Sequence, residues 1–442
     1  MYHHNRKIKR DYNKPFFHRR NHRTRLIFVT LMLLLIAAIP LFAFWQYDRL
    51  QLSALDALGY APTATPFASD RASLGADFYR QGDIETAAFY FELAANQQPE
   101  NISYLYEYGI LLIELDRNDE AALLGERMMA IDPDDPRGYA LKASAIAWLD
   151  PTEAIPVARQ GIEIEGDRQF APLHSALAIA FTRIGRYEEA LREGDLAIRI
   201  DEMDANARRS IAYPLIFTGN YSEAIRQLER AVSINPSLTG PYFELASLYR
   251  NPVINRPEVA LAIFEAILEI EPDNKRAWLR ICETYAAVGL FQEAEPFCEN
   301  AIDIDANYAS AHRMNGQLRY SRRNYEGGIE EFTTCLVLYA EQETGQDYDS
   351  EAEIDFPNLD LGGLDIECLY LRGLAYYFLG QCDLAWEWLN TSLNHPAAQG
   401  PILDAILTGL ENTTINCAGY QNRGLPTRVP PTPIPPTPIG GY

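Results

Sequence analysis

The chain has 442 residues, 61 Asp/Glu against 38 Lys/Arg, and a net charge of −23. So acidic a body repels phosphate backbones, which excludes ordinary nucleic-acid binding by most of the chain. No phosphate-cradling glycine loop, GxSxG, HExxH or dinucleotide fingerprint occurs, so no enzyme, cofactor, metal centre or small-molecule substrate is expected.

The charge is unevenly placed. Residues 1–25 hold nine Lys/Arg against Asp11 alone, a local +8, so that the remainder carries −31 within the total of −23. Leu26 to Trp45 follow, twenty residues without a charge, thirteen of them Leu, Ile, Val or Phe. Twenty helical residues reach about 30 Å, the hydrocarbon thickness of a bilayer. The expectation is a single transmembrane helix over 26–45, with residues 1–25 cytoplasmic by the positive-inside rule and the rest of the chain outside. A cleaved signal peptide is the competing reading; the long basic head and the missing small-x-small site argue against it. Residues 46–67 form a tether.

From residue 68 a 34-residue period sets in. Leu74-Gly75, Phe78, Gly82, Ala87, Phe91, Ala94 and Pro99 define it. It returns as Gly109, Ala121 and Pro133, as Gly185, Ala190 and Ala197, as Gly219, Ala224, Ala231 and Pro236, and as Trp278, Tyr285, Gly289, Ala294 and Ala301. Apolar spacings of three, four and seven within each half predict two amphipathic helices per unit. The mid-unit glycine ends the first helix, and proline stops the second. Small alanines mark the close crossing of the pair.

These residues resemble the tetratricopeptide repeat. The resemblance implies an all-α, right-handed α-α superhelix, here preceded by the transmembrane helix. Nine units are expected, starting near residues 68, 102, 136, 171, 205, 239, 275, 309 and 366. Units one to eight would fill 68–340, and unit nine with a closing helix from Pro401 to Leu410 would fill 366–411. Pro214, inside a first helix, should kink it or leave a carbonyl unpaired. Between units eight and nine, Glu341 to Glu367 hold ten Asp/Glu and no Lys/Arg. That stretch (341–365) reads as a solvated insertion, or as a tethered pseudo-ligand for the groove; Asp347 and Asp349 lack a calcium-loop pattern. Residues 412–442 form a Pro-rich tail in polyproline II.

All six cysteines are absent from the first six units and crowd toward the last third: Cys282, Cys298, Cys335, Cys368, Cys382 and Cys417. Either they are buried thiols, or they form bridges in an oxidising compartment, with Cys382–Cys417 the preferred pair.

In the family, positions 2, 5, 9, 12 and 13 of each first helix line the concave groove. Carried to units five to eight, the resemblance implies Arg209, Tyr213, Phe217, Phe243, Arg250, Arg276, Glu283, Arg313, Gln317 and Tyr320. Arginines and aromatics suit recognition of an acidic or extended peptide. The function expected is therefore a membrane-anchored scaffold that binds a protein or peptide partner outside the cytoplasm. The alternative is a non-catalytic accessory subunit of a cell-envelope assembly, secretion or polysaccharide enzyme system.

Overall fold

The computed structural model describes residues 66–166, 169–346, 348, 361–421 and 423–427. The expected membrane helix, most of the tether, most of the acidic insertion and residues 422 and 428–442 of the expected Pro-rich tail lie outside those residues; the first residues given to the tail, 412–416, belong instead to the last helix. Among the described residues there are nineteen α-helices, one short 3-10 turn and no strand, and no helix is long and apolar enough to cross a membrane.

The helices pair in chain order. The first three pairs are α1 (Ala68–Gln81) with α2 (Ile84–Gln97), α3 (Ile102–Glu114) with α4 (Asn118–Ile131), and α5 (Pro136–Ile146) with α6 (Pro151–Glu165). The next three are α7 (Ala171–Arg183) with α8 (Tyr187–Ile200), α9 (Ala205–Phe217) with α10 (Tyr221–Ile234), and α11 (Thr239–Arg250) with α12 (Pro257–Ile270). Then come α13 (Lys275–Ala287) with α14 (Phe291–Ile304), α15 (Ala309–Ser321) with α16 (Tyr325–Thr344), and α17 (Ile366–Phe378) with α18 (Cys382–Leu393). A last helix, α19 (Gly400–Asn416), closes the stack.

Local chemistry sets these boundaries. Asn101, Asp135, Asp204, Asn274 and Asp365 cap first helices by accepting a backbone N–H one turn in, which satisfies donors that the helix itself leaves orphaned. The turn between paired helices needs a left-handed residue. Gly185 and Gly219 supply it at φ 78°, whereas Asp116 (59°) and Arg323 (63°) hold the same place in units two and eight against the Cβ penalty. Where the pairs cross, Ala87, Ala121, Ala154, Ala190, Ala224, Ala260, Ala294 and Ala385 are all fully buried. In unit eight Gly328 takes that position, although a Cβ there would meet nothing nearer than 3.4 Å.

Some elements depart from expectation. The helix α9 runs through Pro214 without a break; proline merely withholds one donor from the Ser210 carbonyl. The α16 helix continues through Glu341 and Glu343 to Thr344 and stops at left-handed Gly345. Acidic residues do not break a helix, so the insertion starts later than its charge suggests. The closing helix runs beyond Leu410 to Asn416, seating Ile406 and Leu410 against Leu389 and Leu393.

All six cysteines pair. Cys282–Cys298 joins the two helices of unit seven, Cys335–Cys368 joins α16 to α17 across the acidic insertion, and Cys382–Cys417 joins the start of α18 to the end of α19. No free thiol remains.

The stack also curls until its start meets its middle. Asn235 Nδ2 donates to the Tyr79 hydroxyl at 3.0 Å, and Ser237 Oγ donates to the Arg80 carbonyl at 2.9 Å, across 156 and 157 positions of sequence. Gly82 packs there too: a Cβ would lie 2.5 Å from the Ile270 side chain. One turn of the superhelix thereby closes around a central space.

Candidate binding cavity

The central space is a cavity of about 1360 Å³, open to solvent, and larger than the roughly 300–1,000 Å³ of ordinary small-molecule sites. First helices build its wall. Unit two contributes Tyr106, Ile110, Ile113 and Glu114, unit three Ser144 and Trp148, and unit four Pro172, Ser175 and Ile179. The same inward positions give Asn206, Arg209 and Tyr213 from unit five, Phe243 from unit six and Arg276 from unit seven.

At the centre of one wall is a closed polar cluster. Arg209 Nε donates to Glu244 Oε1 at 2.6 Å, and its guanidinium lies 3.6 Å from Glu114. The Tyr213 hydroxyl donates to the same Glu244 oxygen. Burial, and after it the neighbouring Glu244 charge, pushes the Tyr213 phenol far up, so it stays a donor. Burial likewise raises Glu114, with Arg209 opposing. Trp148 meets Tyr213 edge-on at 4.7 Å between ring centroids. Beside this cluster lies a pocket of about 250 Å³ where Arg209, Phe243, Arg250 and Arg276 come together with Arg280 and Glu244. Arg250 and Arg280 both donate to Glu283, at 3.2 and 2.6 Å, and Arg276 lies 4.4 Å over the Phe243 ring.

The expected residues therefore divide. Arg209, Tyr213, Phe243 and Arg276 line the cavity, and Arg250 lines the side pocket. Arg313 sits further along, held by Asp365, Glu367 and Glu283. Gln317 is half-buried on the same helix. Tyr320 packs on Tyr325 and Phe378, and burial lifts its phenol to about 12. Phe217 is absent from the cavity: it is 55% exposed and stacks on Tyr187 at 6.0 Å, because the last residue of α9 turns toward the loop.

Electrostatics correct the picture of an arginine groove. Nine carboxylates line the cavity against three cations, Arg209, Lys275 and Arg276. Of those cations, Arg209 is held by Glu244 and Glu114, and Lys275 by Asp305. Glu107 lines the space with its side chain exposed to solvent, and the protein crowded around it raises its pKa despite Arg137. Asp204 and Glu271 are raised by burial as well. The inward positions do not find these carboxylates in any unit: Glu107 stands one place after an inward position, and Asp204 and Glu271 cap helices at the rim. Among the described residues no three His, Cys, Asp or Glu groups assemble a metal site; Asp347 and Asp349 lie outside them.

Paired antiparallel helices, stacked at a constant offset around a continuous cavity, define the class: an α-α repeat solenoid. Within that class, tetratricopeptide-repeat profiles match residues 78–145, 210–238 and 255–318, and these matches support a tetratricopeptide-repeat protein. The TPR repeat-containing protein YpiA of Bacillus subtilis is 21% identical over 296 residues, covering 59% of this chain and 69% of its own. Human tetratricopeptide repeat protein 13 is 27% identical over 145 residues, or 32% of this chain, which thus spans only 17% of that relative's length. Among solved structures, the Cut9–Hcn1 hetero-tetramer of the APC/C matches with a TM-score of 0.51 at 14% identity, over 74% of this chain and 59% of that one. Tetratricopeptide-repeat proteins are generally non-catalytic scaffolds, and nothing in the described residues points to an enzyme.

Proposed function

We propose that this chain is a membrane-anchored scaffold, its repeats outside the cytoplasm, which holds an extended segment of a protein partner in the central cavity. The carrying observation is the closed turn of first helices around about 1360 Å³, whose wall mixes apolar area (Ile110, Ile179, Phe243) with hydrogen-bonding groups along one continuous path. Tyr213, Phe243 and Arg276 face the segment directly; Arg250, Arg313, Gln317 and Tyr320 extend the contact toward unit eight. The twenty uncharged residues at 26–45 behind nine cations support the anchor and its direction. Three disulfides support an oxidising compartment.

A photo-crosslinking residue at Ile179, inside the cavity, should capture the partner in cells, and one at Leu123, 65% exposed outside it, should not. Equal capture at both sites, or none at Ile179, refutes cavity binding. Protease added to intact spheroplasts should digest the repeats; full protection refutes the topology.

A further inference from the structure

The charge of the cavity specifies what kind of segment it takes. A partner that enters must meet nine carboxylates and three cations, two of the cations already held by carboxylates of the chain. Among the described residues Glu107 has neither a hydrogen bond nor an ion-pair partner, feels the Arg137 charge only at longer range, and lines the cavity with its side chain exposed. Like charges gathered in a confined, partly dehydrated volume repel one another more strongly than on an open surface.

A second, independent observation points the same way. Ser175, on α7, is 6% exposed and lines the cavity. Its hydroxyl oxygen has no hydrogen-bond partner. A buried hydroxyl without a partner leaves desolvation uncompensated, about 1–3 kcal/mol in comparable groups. An incoming N–H donor would satisfy it.

We propose, building on the cavity reading above, that the occupant is a positively charged extended peptide segment, whose lysine or arginine side chains are received by Glu107 and Ser175. Ammonium and guanidinium groups are donors only, so they answer unpaired carboxylates and the Ser175 oxygen together. An acidic segment would add negative charge to a space that already holds an excess.

The test uses the full chain in detergent and three labelled ten-residue peptides: alternating Lys/Ala, alternating Glu/Ala and alternating Ser/Ala. Fluorescence anisotropy should show the Lys/Ala peptide binding at least about tenfold more tightly than the Glu/Ala peptide at ~0.15 M salt. Glu107→Gln with Glu271→Gln should weaken it about tenfold, while Glu188→Gln with Glu258→Gln, on exposed carboxylates outside the cavity, should leave it unchanged. A urea midpoint checks that each variant is folded; if the double variant is not, Glu107→Gln alone makes the same comparison. Equal affinity for the two charged peptides, or equal weakening by the outer pair, overturns the proposal. If the Ser/Ala peptide crosslinks at Ile179 as well as the Lys/Ala peptide does, the charge assignment falls while cavity binding stands. If no peptide crosslinks there, both fall.

Discussion

Units one to six and units seven to nine are built from the same hairpin and held together by different means. The first six contain no cysteine and are closed by two cross-turn hydrogen bonds, Asn235 to Tyr79 and Ser237 to Arg80. The last three carry three covalent ties: one within unit seven, one across the acidic insertion, and one at the closing helix. Packing that depends on neighbours alone can open one interface at a time, as quasi-one-dimensional stacks do. A ring shut by a few weak bonds can admit a chain, whereas a stapled end serves as a rigid foundation. Most of the cavity wall lies in the first region, which is where opening is useful, and unit seven adds Lys275, Arg276 and Asp305.

Removing a staple should produce the largest separation between the regions. Cys335→Ser with Cys368→Ser frees a loop of 33 residues, worth about 4 kcal/mol by chain entropy. Hydrogen exchange should then show α17 to α19 losing protection while α1 to α12 keep theirs. Uniform loss along the whole stack would erase the distinction.

Next in size is a steric change confined to the first region. At Gly125 a Cβ would lie 2.7 Å from the Lys142 backbone nitrogen and 2.9 Å from the Gly138 carbonyl. Backbone cannot move aside as a side chain can, so Gly125→Ala should cost about 1–3 kcal/mol. The urea midpoint reports it, and protection of units seven to nine should be unaffected.

The ring closure is weaker. Asn235→Ala should cost about 1 kcal/mol and speed exchange at α1 and at the α10–α11 turn. A crystal or solution structure of the variant with the turn still shut would mean that Gly82 against Ile270 suffices.

The smallest effect is that of pH. Burial raises the folded pKa of Glu107 and Glu271 above 4.5. The stability they contribute is therefore complete below 4.5 and lost as pH rises through their folded values. Between about pH 4.5 and neutrality the urea midpoint of wild type should fall more steeply than that of Glu107→Gln/Glu271→Gln. Parallel curves would show that these carboxylates are solvated as on an open surface.

Much of the hairpin is legible in order along the chain. Ala87, Ala121 and Ala190 announce crossings because only a methyl group fits there, and Gly185 and Gly219 announce turns because their φ is positive. The acidic run after residue 340 misleads: its first glutamates extend α16, since charge marks solvation and not the end of a helix. Phe217 shows the limit of carrying positions from one unit to the next, for the end of a helix turns with its loop and takes the side chain along. Arginines at inward positions are visible as residue types. That Glu114, three units away, would claim Arg209 is not.

The sequence by itself determined everything that repeats, because each such contact lies within a unit or between a unit and the next, and a periodic pattern encodes it. Only the tertiary structure decided that the stack closes on itself, that the space inside is acidic, and which cysteines meet. Curvature accumulates from small rotations between successive units, so whether Tyr79 reaches Asn235, 156 residues away, depends on the sum of all of them and on no single one.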